Sequence, residues 1–575
     1  MTSAVVFWIT GSLLLLVSIP FITIVSLIAH LQYRVRKYGH LPSPKMLPHW
    51  SSYIFGHANQ LDKLRRGEQS MRDLTLSCKN ANSIEENRRF LMDNHTPLCP
   101  LQVLTQMFYL PVLCKRVWRV SLELFCVFVF ALYCDCGLSG AGVVNFDHCG
   151  RDEKLLCVFV TQYVRIKEGE FVASGNHYKA PSIYKQLHSI VEERFMGRGL
   201  VTEYDEAAWG PRRNLFNPAF HRSYLKLSMD QFNKSTDLLL QRLAEKADGK
   251  TEVRMLDEIS RLTMDIIAKV GFGYDCESLT KECSAFNEAI TCALKAMSYF
   301  EKNPWKKISP LPEDVQKRRE VRSAIKFLRT VGKEVVEKRI QSMMKNEEGP
   351  NDILSYILKA TNGLKNNSSY GMLEVMDEFA TFFVAGMETN ANTLSSLLML
   401  VSRNEEVMVR LKEEVHETLK GRTNVEFEDL AKLEYMAATI KEVLRLNPPT
   451  GGTVRLASYD VECNGHTVPK GSMVVVSLGM GRLEEYFPEP LKFKPERFLD
   501  NSVEPHTWIP FMVGPRSCLG QQFAMMEMKV IMAKLLQTFD LQWVPGQSYD
   551  IVEETTMKPK DGALHYLTLL NGHVV

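Results

Sequence analysis

One cysteine in this 575-residue chain keeps unusual company. In FMVGPRSCLG, Phe511 to Gly520, Cys518 follows Gly514 and Arg516 and precedes Gly520, just ahead of the proline-free run LGQQFAMMEMKVIMAKLLQTF. A cysteine among apolar residues is ordinarily a small buried hydrophobe. Here the two glycines remove side chains where a flat ligand would press on the backbone. Arg516 supplies a fork suited to a carboxylate. The run after Cys518 reads as a helix whose positive end faces the sulfur. Amide donors and that dipole lower a thiol pKa and favour the thiolate. Phe511 can pack against a flat macrocycle. Together these residues describe a thiolate axial ligand to haem iron, an arrangement that favours O–O cleavage.

Two further groups could take part in chemistry. In AGMETN, Ala385 to Asn390, Glu388 and Thr389 place an acid and an alcohol side by side in an apolar stretch. A carboxylate there is costly without a partner or a task. A threonine in a helix can simply bond back to a carbonyl one turn earlier, and the acid can simply pair with another helix. Two protons are needed wherever dioxygen is split reductively, and a poised acid serves that need. In IKEVLRLNPP, Glu442 and Arg445 are an i, i+3 pair on one helix face. Most such pairs are solvated and contribute little.

The chain resembles the cytochrome P450 family of haem-thiolate monooxygenases. FMVGPRSCLG matches the family's Phe-x-x-Gly-x-Arg-x-Cys-x-Gly pattern at every defined position. The resemblance implies a mainly α fold with minor β sheets, haem as cofactor and NADPH-derived electrons delivered by a reductase. It implies haem contacts from Cys518, Phe511, Gly514, Arg516 and Gly520. Basic partners for the haem propionates are implied at Arg455 and in WGPRR, where Trp209 and Arg213 match a Trp-x-x-x-Arg helix. Pro211 falls inside that element and is tolerated in a first turn. Glu388 and Thr389 become a catalytic proton relay. FKPERF supplies Arg497, which joins Glu442 and Arg445 in a structural network. Within the family, FVAGMETNANTL, EDLAKLEYMAATIKEVLRLNPP, FAMMEMKVIMAKLLQTFDLQWVPGQ and YKQLHSIVEERFMGRGLV look most like the cholesterol 24-hydroxylases of vertebrates. That implies a sterol substrate oxidised on its side chain. A hydroxylase of another lipid or xenobiotic, and a non-catalytic haem or membrane protein, are the alternatives. Met387 departs from the histidine of those sterol enzymes, which bears on substrate fit. The likeness runs from about Ser174 to the carboxyl end.

The elements that must position these residues are largely helical. LKLSMDQFNKSTDLLLQRLAEKA and EISRLTMDIIAKVGFGY repeat apolar residues at i, i+3 and i+4. Tyr370 to Arg403 reads as one long central helix, apolar on more than one face. Strand patterns come late, from Val454 to Gly479 around an Asn464-Gly465 turn. Residues 1–31 contain no Asp, Glu, Lys or Arg, and Arg34, Arg36 and Lys37 follow at once. That pattern predicts a single transmembrane helix with everything downstream on the cytosolic side, and the resemblance implies the endoplasmic reticulum membrane. Residues 32–50 form a proline-punctuated linker, and 51–575 the monooxygenase domain. Segment 72–172 does not resemble the family. It lacks the usual Tyr-Gly-Pro entry and holds the run LELFCVFVFALY. Eight of the 13 cysteines lie between Cys78 and Cys157 with no metal-site or disulfide spacing, which reads as a reduced chain. A net charge of +2 gives no reason to expect nucleic acid. No glycine fingerprint for a flavin or nicotinamide follows a strand, so electrons must come from a partner.

Overall fold

The computed structural model describes residues 178–570, apart from Cys283, Glu348, Asn351, 362–370, Asn464, Gly465, Asn501, Ser502 and Pro505. The expected anchor, the linker and segment 72–172 lie outside the described residues. Among the described residues no helix is long and apolar enough to cross a membrane.

These residues fall into two compact units. The described part of the smaller one, Leu456–Val475, contains an antiparallel hairpin pairing Val461–Cys463 with His466–Val468. Its strands flank Asn464-Gly465, where the sequence places the turn. The larger unit is helical: Glu206–Phe216 (α1), Met229–Ala244 (α2), Met255–Phe272 (α3), Ala285–Lys302 (α4), Pro312–Met344 (α5), Ile353–Ala360 (α6), Met372–Phe383 (α7), Thr389–Val401 (α8), Glu405–Leu419 (α9), Glu434–Leu446 (α10) and Gln521–Thr538 (α11). Its sheets are small. Leu564–Leu569 pairs antiparallel with both Phe539–Trp543 and Val253–Arg254, and Ile551–Glu553 folds back on Met557–Pro559.

Helix α3 shows how local signals set the framework. Asp257 and Glu258 in its first turn and Lys269 in its last complement the helix dipole. Gly273 ends it at φ +59°, in the left-handed region, and its N–H bonds the Lys269 carbonyl while Tyr274 bonds that of Ala268. A β-carbon at Gly273 would lie 2.5 Å from a guanidinium nitrogen of Arg339, so no larger residue fits.

The stretch read as one central helix is interrupted. α7 runs into a π turn, Val384–Glu388, before α8 begins at Thr389. Such turns leave backbone groups without their usual partners, and frequently mark functional sites. Here α3 supports the turn: Thr263 donates its hydroxyl to the Met387 carbonyl at 3.1 Å. Gly386 lets the two elements approach, since a β-carbon there would stand 3.0 Å from Ile267. Met387 itself is buried. Polar residues of α8 are buried as well, and several are satisfied in place: Thr393 bonds the Thr389 carbonyl and Ser395 that of Ala391. Asn390 donates to Glu527 of α11, whose carboxyl is pushed up to about 8 by burial.

Candidate functional site

The loop Phe511–Gly520 is a tight turn closed on itself. Cys518 donates its N–H to the Phe511 carbonyl at 2.8 Å, and Ser517 donates to Gly514 at 3.0 Å. Gly514 adopts φ +75° and Met512 φ +58°, which explains the glycine but not the methionine. Phe511 is half-buried beside Trp508, with ring centroids 6.3 Å apart. The predicted helix follows as α11, and Gly520 caps it.

Cys518 is exposed. The amide donors and helix dipole expected to favour the thiolate meet an opposing effect. Burial pushes the thiol above its ordinary value, and the Gly520 N–H and the Arg213 guanidinium only oppose that shift. A cation bound at the sulfur would displace the proton.

α1 brings Trp209 and Arg213 to this loop. Asp205 caps it by accepting the Ala207 N–H, and Glu206 occupies its first turn. Pro211 lies in the second turn, not the first as the sequence reading allowed, so α1 forgoes one backbone hydrogen bond there. Arg213 donates to the Ser517 carbonyl at 2.9 Å and to Asn217 at 2.8 Å. Arg516 stacks on Trp209 with its guanidinium carbon 3.8 Å from the ring centroid. It donates twice to one oxygen of Glu206, at 2.9 and 2.7 Å.

Arg455 is 3% exposed and donates to Thr453 at 2.6 Å. Sequence reasoning missed a third cation in this neighbourhood. Lys179 is buried, bonds the Val201 carbonyl and lies 4.3 Å from the Tyr184 ring centroid. Burial depresses its pKa most, and repulsion from Arg455 and then Arg516 depresses it further. Arg455 and Arg516 are likewise lowered, chiefly by burial, and Glu206 partly offsets this. Lys179, Arg455 and Arg516 thus lie close enough to act on one another, with the carboxylates of Glu206 and Glu203 nearby. Such a group fits an anionic ligand, and an exposed cysteine on the loop that carries Arg516 fits a metal. Both are what a haem with its propionates requires.

The acid–alcohol pair sits at the π turn. Thr389 donates its hydroxyl to the Ala385 carbonyl at 2.6 Å, the back-bonding geometry of a helical threonine. Glu388 is buried, and its Oε2 has no hydrogen-bond partner. Burial raises its pKa, while a hydrogen bond from Thr556 and the charge of Lys558 oppose the shift. The structural trio also meets. Arg445 Nε and Nη2 donate to Glu442 at 2.7 and 2.8 Å, and Arg497 Nε lies 3.4 Å from Glu442.

The family model described as Cytochrome P450 matches residues 159–566. The chain belongs to the cytochrome P450 family of haem-thiolate monooxygenases. It is 28% identical over 348 residues to cytochrome P450 3A9 of Rattus norvegicus, covering 59% of this chain and 69% of that protein. Cytochrome P450 4d2 of Drosophila melanogaster is 28% identical over 395 residues, 65% of this chain and 77% of the relative. The chloroplastic carotene epsilon-monooxygenase of Arabidopsis thaliana is 30% identical over 399 residues, 66% and 73% of the two chains. Among solved structures, the cytochrome P450 CYP102L1 superposes with a TM-score of 0.60 at 27% identity, covering 68% of this chain and 85% of the other.

Proposed function

We propose that this protein is a membrane-anchored monooxygenase that hydroxylates the side chain of a sterol, cholesterol at carbon 24 by resemblance, with electrons from an NADPH-dependent reductase. The observation that carries the reading is the exposed Cys518 in its closed loop, with Lys179 and Arg455 acting on Arg516 of the same loop. Haem ligated by Cys518 would supply the oxidising centre that inserts one atom of dioxygen into a C–H bond. The residues around it bind, orient and move protons. Phe511, Gly514 and Gly520 shape the cradle. Arg455, Arg516 and Lys179 balance the propionates, and Trp209 and Arg213 brace the loop from α1. Glu388 holds a proton at Oε2 and passes it toward the Thr389 hydroxyl. The sterol assignment draws on the segments around Tyr184–Val201 and Phe383–Leu394. The anchor in 1–31, with Arg34, Arg36 and Lys37 beside it, supports an endoplasmic reticulum membrane location with the catalytic residues in the cytosol.

Cholesterol added to the haem-loaded protein should shift the haem absorption band and, with reductase and NADPH, give a side-chain alcohol detectable by mass spectrometry. Product formed with NADPH alone would remove the reductase from the scheme. A carotenoid or drug-like probe that binds and turns over while cholesterol does neither would reassign the substrate class.

The cation group makes its own prediction. Each charge-assisted hydrogen bond to a propionate contributes about 1.5–3 kcal/mol. Arg455→Met should therefore speed haem loss about ten- to a hundredfold, measured as transfer to excess apomyoglobin. An unchanged rate would mean that Arg455 serves its strand and not a carboxylate.

A further inference from the structure

Glu206 opens α1, and its carboxylate reaches the loop that carries Cys518. One of its oxygens accepts from both Nε and Nη2 of Arg516, at 2.9 and 2.7 Å. That edge of a guanidinium can grip a carboxylate with two parallel bonds. Nη1 is engaged as well, donating to the Glu203 carbonyl at 2.8 Å, and the Trp209 ring covers one face of the group. Each nitrogen of Arg516 therefore has a protein partner. The Glu203 carboxylate is committed elsewhere, to Arg198 and Arg212 at 2.9 and 2.6 Å.

The same carboxylate acts on the other cations. Burial lowers Lys179 and Arg455, and Glu206 works against that shift in both. Glu206 thus stands among the groups assigned above to the propionates, with the same sign of charge as a propionate. Two carboxylates on one guanidinium repel each other, so Arg516 cannot serve both at full strength. α1 does not depend on Glu206 for its start, because Asp205 caps it by accepting the Ala207 N–H at 3.0 Å. The Glu206 side chain is 24% accessible against 6% for Arg516, so the acid has solvent beside it and the arginine has little. A carboxylate turned outward there stays at the positive end of the helix, where it is favoured. Release of Arg516 is therefore open to Glu206 at small cost.

We propose that Glu206 is a built-in competitor of a haem propionate: its carboxylate contends for Arg516 and so sets how tightly this chain keeps haem. The inference rests on the reading of the cation group as the propionate site. Glu206 lets go of Arg516 as haem binds and recaptures it as haem leaves. The opposite role, a brace that holds Arg516 ready for the propionate, predicts the opposite effect of removing the acid.

The test follows haem transfer from full-length, haem-loaded protein to excess apomyoglobin. The carbon monoxide spectrum and far-ultraviolet circular dichroism confirm haem and fold in each variant. Glu206→Gln and Glu206→Ala should each slow the loss about five- to tenfold, because Arg516 then has no second charged partner. Arg516→Met should speed it. Adding Glu206→Gln to Arg516→Met should slow it by less than about twofold, since the two side chains act mainly through one contact. Faster loss in both Glu206 variants overturns the competition and makes the acid a brace. An unchanged rate in both overturns it too. An Arg516→Met protein that loses haem no faster than the unmutated one would instead remove Arg516 from the propionate site and sink the reading on which the competition depends.

Discussion

Cys518→Ser should abolish both the red-shifted absorption of the reduced, carbon monoxide-bound protein and all substrate oxidation. The argument is one of donor chemistry. A thiolate pushes electron density onto iron, and this both moves the absorption band and favours O–O cleavage. A serine oxygen in the same turn is a harder, less polarisable donor, and its proton is held far more tightly. The loop would keep its shape, because its bonds run through the backbone: Cys518 N–H to Phe511 and Ser517 N–H to Gly514. The buried cations and the Trp209–Arg516 stack are untouched by the exchange. Haem should therefore still bind while its chemistry is lost. That separation is informative. Full turnover with an unshifted spectrum in Cys518→Ser would mean that iron is held elsewhere. Loss of all haem would mean that the sulfur is the main anchor and the cations are secondary.

Much of this site could be read from the residues in order. The offsets of glycine, arginine and cysteine in 511–520 are a local pattern, and the turn that realises them closes within ten residues. Glu442, Arg445 and Arg497 were also legible, since two stand on one helix face and the third in a short separate motif. What stayed hidden depends on distant chain segments meeting. Lys179 belongs to a two-residue strand with no motif, and matters only because folding brings it near Arg455 and Arg516. Thr556 lies 168 positions beyond Glu388 in a hairpin with no signal of its own. The break in the central helix was missed for another reason. Periodicity over Tyr370–Arg403 is helical throughout, and a single wide turn shifts the register without changing composition. The burial that works against the helix end at Cys518 also arises from the folded surroundings and has no local signal.

Glu442→Ala should destabilise the protein by about 3–5 kcal/mol, the range for removing one partner of a buried ion pair. Both side chains are fully inaccessible, so solvent cannot take the place of the lost carboxylate. Glu442 accepts from Arg445 at 2.7 and 2.8 Å and from the Lys494 backbone N–H at 2.9 Å. Arg445 in turn donates to the carbonyls of Gly481, Pro490 and Lys492. The pair thus fastens α10 to the segment that leads into Phe511–Gly520. With alanine in place of the acid, the guanidinium stays buried with carbonyl dipoles but no counter-charge. Glu442→Gln keeps an acceptor of nearly the same shape and should lose less. Arg445→Lys should not preserve stability, because an ammonium cannot span the carboxylate and three carbonyls at once. The decisive variant removes both charges. Glu442→Leu with Arg445→Met should recover part of the loss, since an apolar pair of similar volume avoids burying either ion alone. Urea unfolding of the haem-loaded protein, followed by far-ultraviolet circular dichroism, reads the midpoint, and a constant slope shows that the same surface is exposed. A single-variant loss below about 1 kcal/mol would put the pair among ordinary surface bridges. A double variant no better than Glu442→Ala would show that the backbone carbonyls, and not the charge pair, set the requirement for arginine.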